Sequence, residues 1–281
     1  MVLLDVLSQQ PNLELVVAHF DHGIRTDSDK DRQLVEQAAK RYGLPFIYER
    51  GILGPSTSEA VARAARYRFL RKVQQDNAAQ AIITAHHQDD LIETVIINLI
   101  RGTGRKGLSS LASNDDMVRP LLHVRKQNIY DEASQITKRD PAFTWHTDST
   151  NESDAYLRNY IRHHIIQDLG EQGRELLLSY SQKAAESNPL IDSLLLHNMN
   201  NRSTPTELNR YWFIMLPHDV SREVMAAWLR QNNLRQFDRK LVERLVTAAK
   251  VAFPGKVADI TAGYLLNVNR ATLKITPRTS S

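Results

Sequence analysis

His86-His87-Gln88-Asp89-Asp90-Leu91-Ile92-Glu93-Thr94, followed by Arg101-Gly102-Thr103-Gly104-Arg105-Lys106-Gly107-Leu108, decides how the rest of this chain reads. The apolar run Ala81-Ile82-Ile83-Thr84-Ala85 precedes it, so the pattern is a strand, a polar turn, then a helix that opens with acids. Asp89 and Glu93 are four apart and Asp90 and Glu93 three apart, which lets all three share one helical face. Acids in a first turn also complement the helix dipole. Dipole complementarity, however, requires neither a histidine pair before the acids nor a glycine-rich basic loop after them. Carboxylates at the end of a parallel strand are placed to hold a hard cation such as Mg2+, and Asp90 is the candidate ligand.

Working outward, the first half alternates strand and helix. Residues 1–9 carry Val2, Leu3, Val6 and Leu7 on one helical face, and Leu15-Val16-Val17-Ala18 reads as a buried strand ending before His19. The spacing predicts helices over Asp29–Tyr42, Ser58–Gln75 (with Ser58 as cap) and Asp89–Ile100, and strands at Pro45–Tyr48 and Ala81–Ala85. That alternation implies a parallel sheet with crossover helices, whose ligands bind at the carboxyl ends of the strands. His19, His22, His86 and Asp90 all fall just past the predicted strand ends. From about residue 155 the pattern becomes helix after helix: Tyr156–Leu169, Glu171–His197, Ser221–Gln231 and Asp238–Ala249. Val257–Ile275, with Gly263 between apolar runs, reads as a small hairpin. The expected organisation is an α/β catalytic domain over residues 1–170 and a mainly helical region over residues 171–281.

The 281 residues are 42% hydrophobic and 24% charged, with a formal net charge of +4 and no cysteine. Disulfides, thiolate zinc sites, iron–sulfur clusters and thiol nucleophiles are thereby excluded, and a cytoplasmic location is expected. No apolar stretch approaches the roughly 20 residues of a membrane span, so no membrane partner is expected. Met1-Val2-Leu3-Leu4 does not make a signal peptide, because Asp5 interrupts it. Basic residues form three clusters. Arg63, Arg66, Arg68, Arg71 and Lys72 share a helix with Tyr67 and Phe69; Arg101, Arg105, Lys106, Arg119, Arg125 and Lys126 follow; Arg158, Arg162, His163 and His164 lie near Tyr156 and Tyr160. One cluster alone is a solvated face, but three around one candidate site favour a polyanion, nucleotide or nucleic acid. Asp148-Ser149-Thr150-Asn151 is a capping signal for the helix after it. There is no Walker-type loop and no G-x-G-x-x-G after a strand.

These residues resemble the tRNA(Ile)-lysidine synthetase family of the N-type ATP pyrophosphatase, or PP-loop, superfamily. The resemblance rests on His86-His87-x-Asp89-Asp90-x-x-Glu93-Thr94 and on Leu99-x-Arg101-Gly102-Thr103-Gly104-x-x-Gly107-Leu108. It also rests on Ala18-His19-Phe20-Asp21-His22-Gly23-Ile24-Arg25, the helix Ser58-Glu59-Ala60-x-Ala62-Arg63-x-x-Arg66-Tyr67, and Arg119-Pro120-Leu121-Leu122. Asp148-Ser149-x-Asn151 with Tyr156-x-Arg158-Asn159-x-x-Arg162 completes it. Together the matches span residues 15 to 165.

The resemblance implies an adenine nucleotide alpha hydrolase-like fold and a helical tRNA-contacting region. It implies ATP and Mg2+ as cofactors, and free lysine and the isoleucine tRNA with CAU anticodon as partners; a homodimer is left open. The implied reaction activates C2 of the wobble cytidine with ATP, releasing pyrophosphate, after which the ε-amine of lysine displaces AMP. Asp90 is the candidate for the metal or the attacking amine, Glu93 for the lysine ammonium, and His86 and Asp89 for supporting catalytic roles. His19, His22, Arg25, Arg101, Gly102 and Gly104 are candidates for ATP or its phosphates, and Arg63, Arg66, Arg158 and Arg162 for tRNA. The family's S-G-G-x-D-S loop precedes the helix that here is Met1–Leu7. The expectation is therefore a chain without its first strand and pyrophosphate cradle, inactive by itself. The absence of cysteine separates it from sulfur-transferring and glutaminase-coupled members of the superfamily. A metal-dependent phosphohydrolase built on His86, His87, Asp89 and Asp90 is the alternative, as is an inactive tRNA-binding fragment.

Overall fold

Short apolar runs separated by amphipathic stretches fold, in the computed structural model, as the alternation requires. The structure describes residues 1–23, 28–52, 54, 57–146, 157–200, 202–234, 237–260 and 263–278. In chain order the elements begin α1 (Val2–Ser8), β1 (Val17–Asp21), α2 (Ser28–Arg41), β2 (Phe46–Arg50), α3 (Glu59–Asp76), β3 (Ile82–Ile83) and α4 (Gln88–Ile100). They continue with α5 (Arg105–Leu108), β4 (Met117–Val118), α6 (Lys126–Arg139), α7 (Leu157–Tyr160) and α8 (Gly170–Asn200). The last are β5 (Glu207–Asn209), α9 (Arg210–Met215), α10 (His218–Gln231), α11 (Arg239–Val251), β6 (Lys256–Asp259), β7 (Tyr264–Val268) and β8 (Thr272–Pro277). Between α7 and α8 the helix widens into a π turn over Ile161–Ile165.

Two compact units result: Met1–Thr94 with Leu111–Arg174, and Val95–Ser110 with Glu175–Ser281. In the first, β1 pairs in parallel with β2 from Val17↔Phe46 to Asp21↔Arg50, and β3 pairs in parallel with β4. Parallel pairs need covering helices. Phe69 and Val73 of α3 pack on Phe20 of β1, and Val2 of α1 packs with Ala133, Ile136 and Phe143 around α6. Ser58 caps α3 by accepting the Val61 N–H at 3.4 Å, as its sequence position predicts. His19 lies inside β1 rather than beyond it, because the strand runs three residues further than its apolar run. The third strand shrinks to Ile82–Ile83, and α6 covers a stretch to which no element was assigned.

In the second unit α8, α10 and α11 pack Leu195, Met199, Trp228, Leu229, Leu245 and Val246 against a sheet of order β5-β8-β7-β6. The predicted hairpin is thus part of a four-stranded antiparallel sheet. Its edge strand β5 is too short to announce itself by periodicity. Arg105, only 16% exposed, ties this unit together by donating to Asn188 Oδ1 and Asp192 Oδ1, each at 2.6 Å, and to Glu223 Oε2 at 3.0 Å. Among the described residues no helix is long and apolar enough to cross a membrane.

Candidate active site

β3 ends just before His86, and the chain turns into α4 with its acids in the first turn. Asp90 Oδ2 accepts the His87 N–H at 2.9 Å, closing that turn. Thr84 Oγ1 lies 2.8 Å from His86 Nδ1. Burial, reinforced by the charges of Arg119, Arg63 and Arg66 and opposed by Asp90, pushes His86 down to about 4, so it is neutral near pH 7. His87 is pushed down by the same desolvation, against Asp90 and Asp89.

One turn further on, Glu93 is 1% exposed. Arg162 grips it with two hydrogen bonds, Nε to Oε1 at 2.6 Å and Nη2 to Oε2 at 3.0 Å, while Arg158 Nε stands 3.7 Å from Oε2. This is a fork-on-carboxylate pair of the kind that orients as well as binds. Burial pushes the Glu93 carboxyl up, and the Arg162 hydrogen bonds pull it back without fully offsetting it. Burial pulls Arg162 down, but the Glu93 hydrogen bond and charge outweigh it and leave it raised, so the guanidinium stays charged. Arg162, expected at a nucleotide or tRNA phosphate, instead directs Nε and Nη2 at Glu93. Its Nη2 also lies 3.9 Å from Asp90 Oδ1. Asp89 Oδ1 accepts from Arg174 Nη1 at 2.7 Å.

A second set of guanidiniums surrounds His86. Arg63 of α3 donates to the Tyr67 hydroxyl at 3.2 Å, and Arg63 and Arg66 both lie over the Tyr67 ring. Burial, then crowding by Arg66, Arg158 and Arg119, pushes Arg63 down. Buried Arg119 donates Nη1 to the Ala112 carbonyl at 3.0 Å. The buried Nε–H groups of Arg66 and Arg119 have no hydrogen-bond partner among the described residues. Unsatisfied buried guanidinium donors of this kind suit an anion.

At the carboxyl end of β1, Asp21 is 3% exposed and accepts from Gly23 N at 2.8 Å, Ser28 Oγ at 2.9 Å and Tyr48 Oη at 3.2 Å. Burial pushes its carboxyl up, but those hydrogen bonds and Arg50 prevail and hold it low. The buried carboxylate thereby shapes the turn that presents His22. Gly23 has φ +67, and a Cβ there would collide with the Gly51 carbonyl oxygen, so only glycine fits. The His19 ring stacks on Tyr48 at 6.1 Å and lines a cavity of about 400 Å3 with Asp31, Phe143, Trp145 and His146. Burial pushes His19 down.

The first unit thus brings together His86, Asp89, Asp90, Glu93, Arg63, Arg66, Arg158 and Arg162. His19 and His22 sit at the other parallel pair, and Arg101, Gly102 and Gly104 belong to the second unit. Arg25, Tyr156 and the capping stretch Asp148–Asn151 lie outside the described residues. Asp21, Arg119 and Arg174 were not singled out as site residues. Asp21 was already legible within His19-Phe20-Asp21-His22, whereas Arg174 carries no local signal.

Among the described residues no three His, Asp or Glu side chains converge as a metal cage, so the phosphohydrolase alternative gains no ligand set. Mg2+ is usually held by one or two carboxylates together with substrate phosphates. Asp90 fits that role, since its Oδ1 lies at 3.9 Å from the nearest guanidinium rather than in a hydrogen bond.

A family model described as a PP-loop domain matches residues 1–169. A tRNA(Ile)-lysidine synthase of Exiguobacterium sibiricum is 32% identical over 272 residues, covering 90% of this chain and 61% of that protein. One from Actinobacillus pleuropneumoniae is 31% identical over 239 residues, covering 81% and 55%. The chain therefore spans a little over half the length of the curated relatives it matches. Among solved structures, the U34-tRNA thiolase NcsA from Methanococcus maripaludis superposes with a TM-score of 0.52 at 16% identity, covering 66% of this chain and 65% of that one.

Proposed function

Because this chain belongs to the PP-loop domain family, we propose that it serves an ATP-dependent tRNA(Ile)-lysidine synthetase, which joins lysine to C2 of the wobble cytidine and releases AMP and pyrophosphate. The observation that carries the reading is the meeting, at the start of α4, of Asp90 and Glu93 with arginines of the Leu157–Ile165 segment, beside a His86 whose proton affinity the α3 arginines Arg63 and Arg66 lower. The resemblance of the relatives named above points the same way.

The chemistry needs a negatively charged nucleotide, a cytidine made electrophilic and an amine held neutral and aligned. Arg63, Arg66 and Arg119 offer the anion-binding side, and His86, uncharged among them, offers a hydrogen-bonding nitrogen without adding positive charge. Asp90 takes Mg2+ or the attacking amine. Mg2+, when bound, would neutralise charge on the departing pyrophosphate. Glu93 fixes Arg162 at the edge of the site, and the lysine ammonium reaches Glu93 only by displacing that guanidinium.

The test is incorporation of radiolabelled lysine into isoleucine tRNA with a CAU anticodon, by the purified protein joined at its N-terminus to a strand and S-G-G-x-D-S loop and supplied with ATP. ATP-dependent labelling that is absent with a cytidine-to-uridine wobble substitution supports the reading. Labelling of neither tRNA overturns it.

A further inference from the structure

One side of α8 is fixed by the fold and another is left open. Ser181, Asn188 and Leu195, seven residues apart, are buried. Ser181 Oγ donates to the Leu108 carbonyl at 2.9 Å, Asn188 Oδ1 accepts from Arg105 at 2.6 Å, and Leu195 and Met199 enter the core of the second unit. Away from that side, Leu176, Tyr180, Lys183, Ser187, Leu190 and Leu194 follow one another at spacings of four, three, four, three and four, and all six are exposed. Leu176 and Tyr180 are each 53% exposed, Leu190 68% and Leu194 63%. A mean spacing near 3.5 keeps such a row on one side of a helix over the roughly 27 Å from Leu176 to Leu194. Singly scattered exposed leucines need no partner, but a row of this regularity is a seam.

The row reads alike in both directions. Reversal about residue 185 maps Leu176 onto Leu194, Tyr180 onto Leu190 and Lys183 onto Ser187. A second α8 laid antiparallel along the first therefore sets apolar side chains against apolar ones towards both ends of the seam. Two-fold contacts between identical chains have this self-complementary form. Charge selects the same register. Lys183 of one copy then lies about 1.5 Å along the axis from Glu186 of the second copy, twice by symmetry. Lys183 forms no ion pair with a described residue, and Glu186 is exposed. A parallel pair would instead set Lys183 on Lys183 and Glu186 on Glu186. Pro189, inside α8, falls on another side of the helix by its 3.6-residue period. With half to two-thirds of each large side chain free, closing the seam covers roughly 600 Å2 on each copy, about 1,200 Å2 together, the lower edge of specific interfaces.

We propose that α8 is a self-association surface: two copies of this chain pair antiparallel through Leu176, Tyr180, Leu190 and Leu194, centred on residue 185 and closed by reciprocal Lys183–Glu186 ion pairs. The seam lies wholly in the second unit. A lipid surface fits it less well, because Glu186 beside Lys183 leaves the seam without the cationic excess that draws anionic headgroups. The small area makes the pair a weak one, forming in the micromolar range. The inference does not depend on the lysine-joining reading.

The experiment is sedimentation velocity of the purified protein from about 1 to 200 µM, a range that brackets weak pairing. The weight-average mass is expected to rise from one copy toward two. Leu190→Glu, which sets a carboxylate against Tyr180 of the second copy, should weaken pairing about tenfold or more. Lys183→Glu and Glu186→Lys each bring like charges together and should weaken it roughly two- to fivefold, and combining them should restore it. All three positions are exposed, so circular dichroism melts should match that of the parent protein; if Leu190→Glu melts lower, the charge reversals still decide. Cross-linking reads the register, because the chain has no cysteine of its own. Leu176→Cys mixed with Leu194→Cys should form a disulfide-linked pair on mild oxidation, whereas Leu176→Cys alone, with its thiols about 27 Å apart, should not. A single-copy mass at every concentration overturns the proposal, and if that protein floats with lipid vesicles the seam is a membrane surface instead. Pairing that neither Leu190→Glu nor the charge reversals weaken also overturns it, as does cross-linking of Leu176→Cys with itself in place of the mixed pair.

Discussion

Replacing Arg162 by methionine removes the fork on Glu93 while keeping most of the side-chain length. Glu93, 1% exposed, then keeps, among the described residues, only Arg158 at 3.7 Å, and a buried carboxylate so weakly paired takes up a proton instead. From an ordinary pKa of 4.5, protonation at pH 7 costs about 3.4 kcal/mol at 1.36 kcal/mol per pH unit, which is an upper bound on the loss. With Arg158 still nearby, a loss of about 2–3 kcal/mol is expected at pH 7, in line with breaking a buried pair. The sign follows from proton binding. In the variant the folded carboxyl titrates above the unfolded one, so the folded state binds more protons and stability falls as pH rises above about 4.5. The parent Glu93 is itself raised, so the penalty relative to the parent protein should shrink, by at most about 1.4 kcal/mol per unit, as pH falls from 7 until the parent carboxyl also takes up its proton. Urea denaturation of both proteins at pH 5, 6 and 7 measures it. The double variant Glu93→Gln, Arg162→Met should lose that pH dependence. A penalty that is flat across pH 5–7 would refute the assignment of Arg162 as the partner of a charged, buried Glu93.

Three further outcomes are expected. His86, pushed down to about 4 from 6.5, binds its proton more weakly folded than unfolded. It should therefore withdraw stability as pH falls from 6.5 to 4, by about 1–2 kcal/mol after discounting for partial exposure; His86→Gln should flatten that part of the stability–pH curve in denaturant titrations. In the protein joined at its N-terminus to a strand and S-G-G-x-D-S loop, Asp90→Asn should cut lysine incorporation by roughly a hundredfold or more while the circular dichroism melt stays within a few degrees, and near-normal incorporation would remove Asp90 from the mechanism. Gly23→Ala, which meets both a positive φ and the Gly51 carbonyl, should cost about 2–3 kcal/mol of stability; a change under 0.5 kcal/mol by urea titration would mean that the turn at Asp21 relaxes freely.

The two guanidinium sets at the candidate site differ in what they can do. Arg162 and Arg174 are engaged by Glu93 and Asp89, so they hold the acids in place. Arg66 and Arg119 keep buried Nε donors unsatisfied, and an anion arriving there gains hydrogen bonds without breaking an existing ion pair of those groups. A salt-sensitive, nucleotide-dependent step is thus better assigned to Arg63, Arg66 and Arg119 than to Arg162.

Local physics made the order of elements readable from sequence. Ser58 and Asp238 cap helices because short polar side chains reach the free N–H groups of a first turn, at Val61 and Leu241. The spacing of Asp89, Asp90 and Glu93 places them on one helix by the 3.6-residue period alone. The motifs from His19 to Arg162 further carried the PP-loop family, which the match over residues 1–169 bears out. Partner choice was not readable, because it depends on residues far apart in the chain. Arg162 meets Glu93 across 69 positions, and the π turn at Ile161–Ile165 that presents it has no compositional mark. Arg101 lies only one helix beyond Asp90 in the sequence, yet it lines a cavity with residues from α10, α11 and β6. No periodicity reaches over those distances; only the folded chain decides which charge is neutralised, which is buried, and which is left to bind.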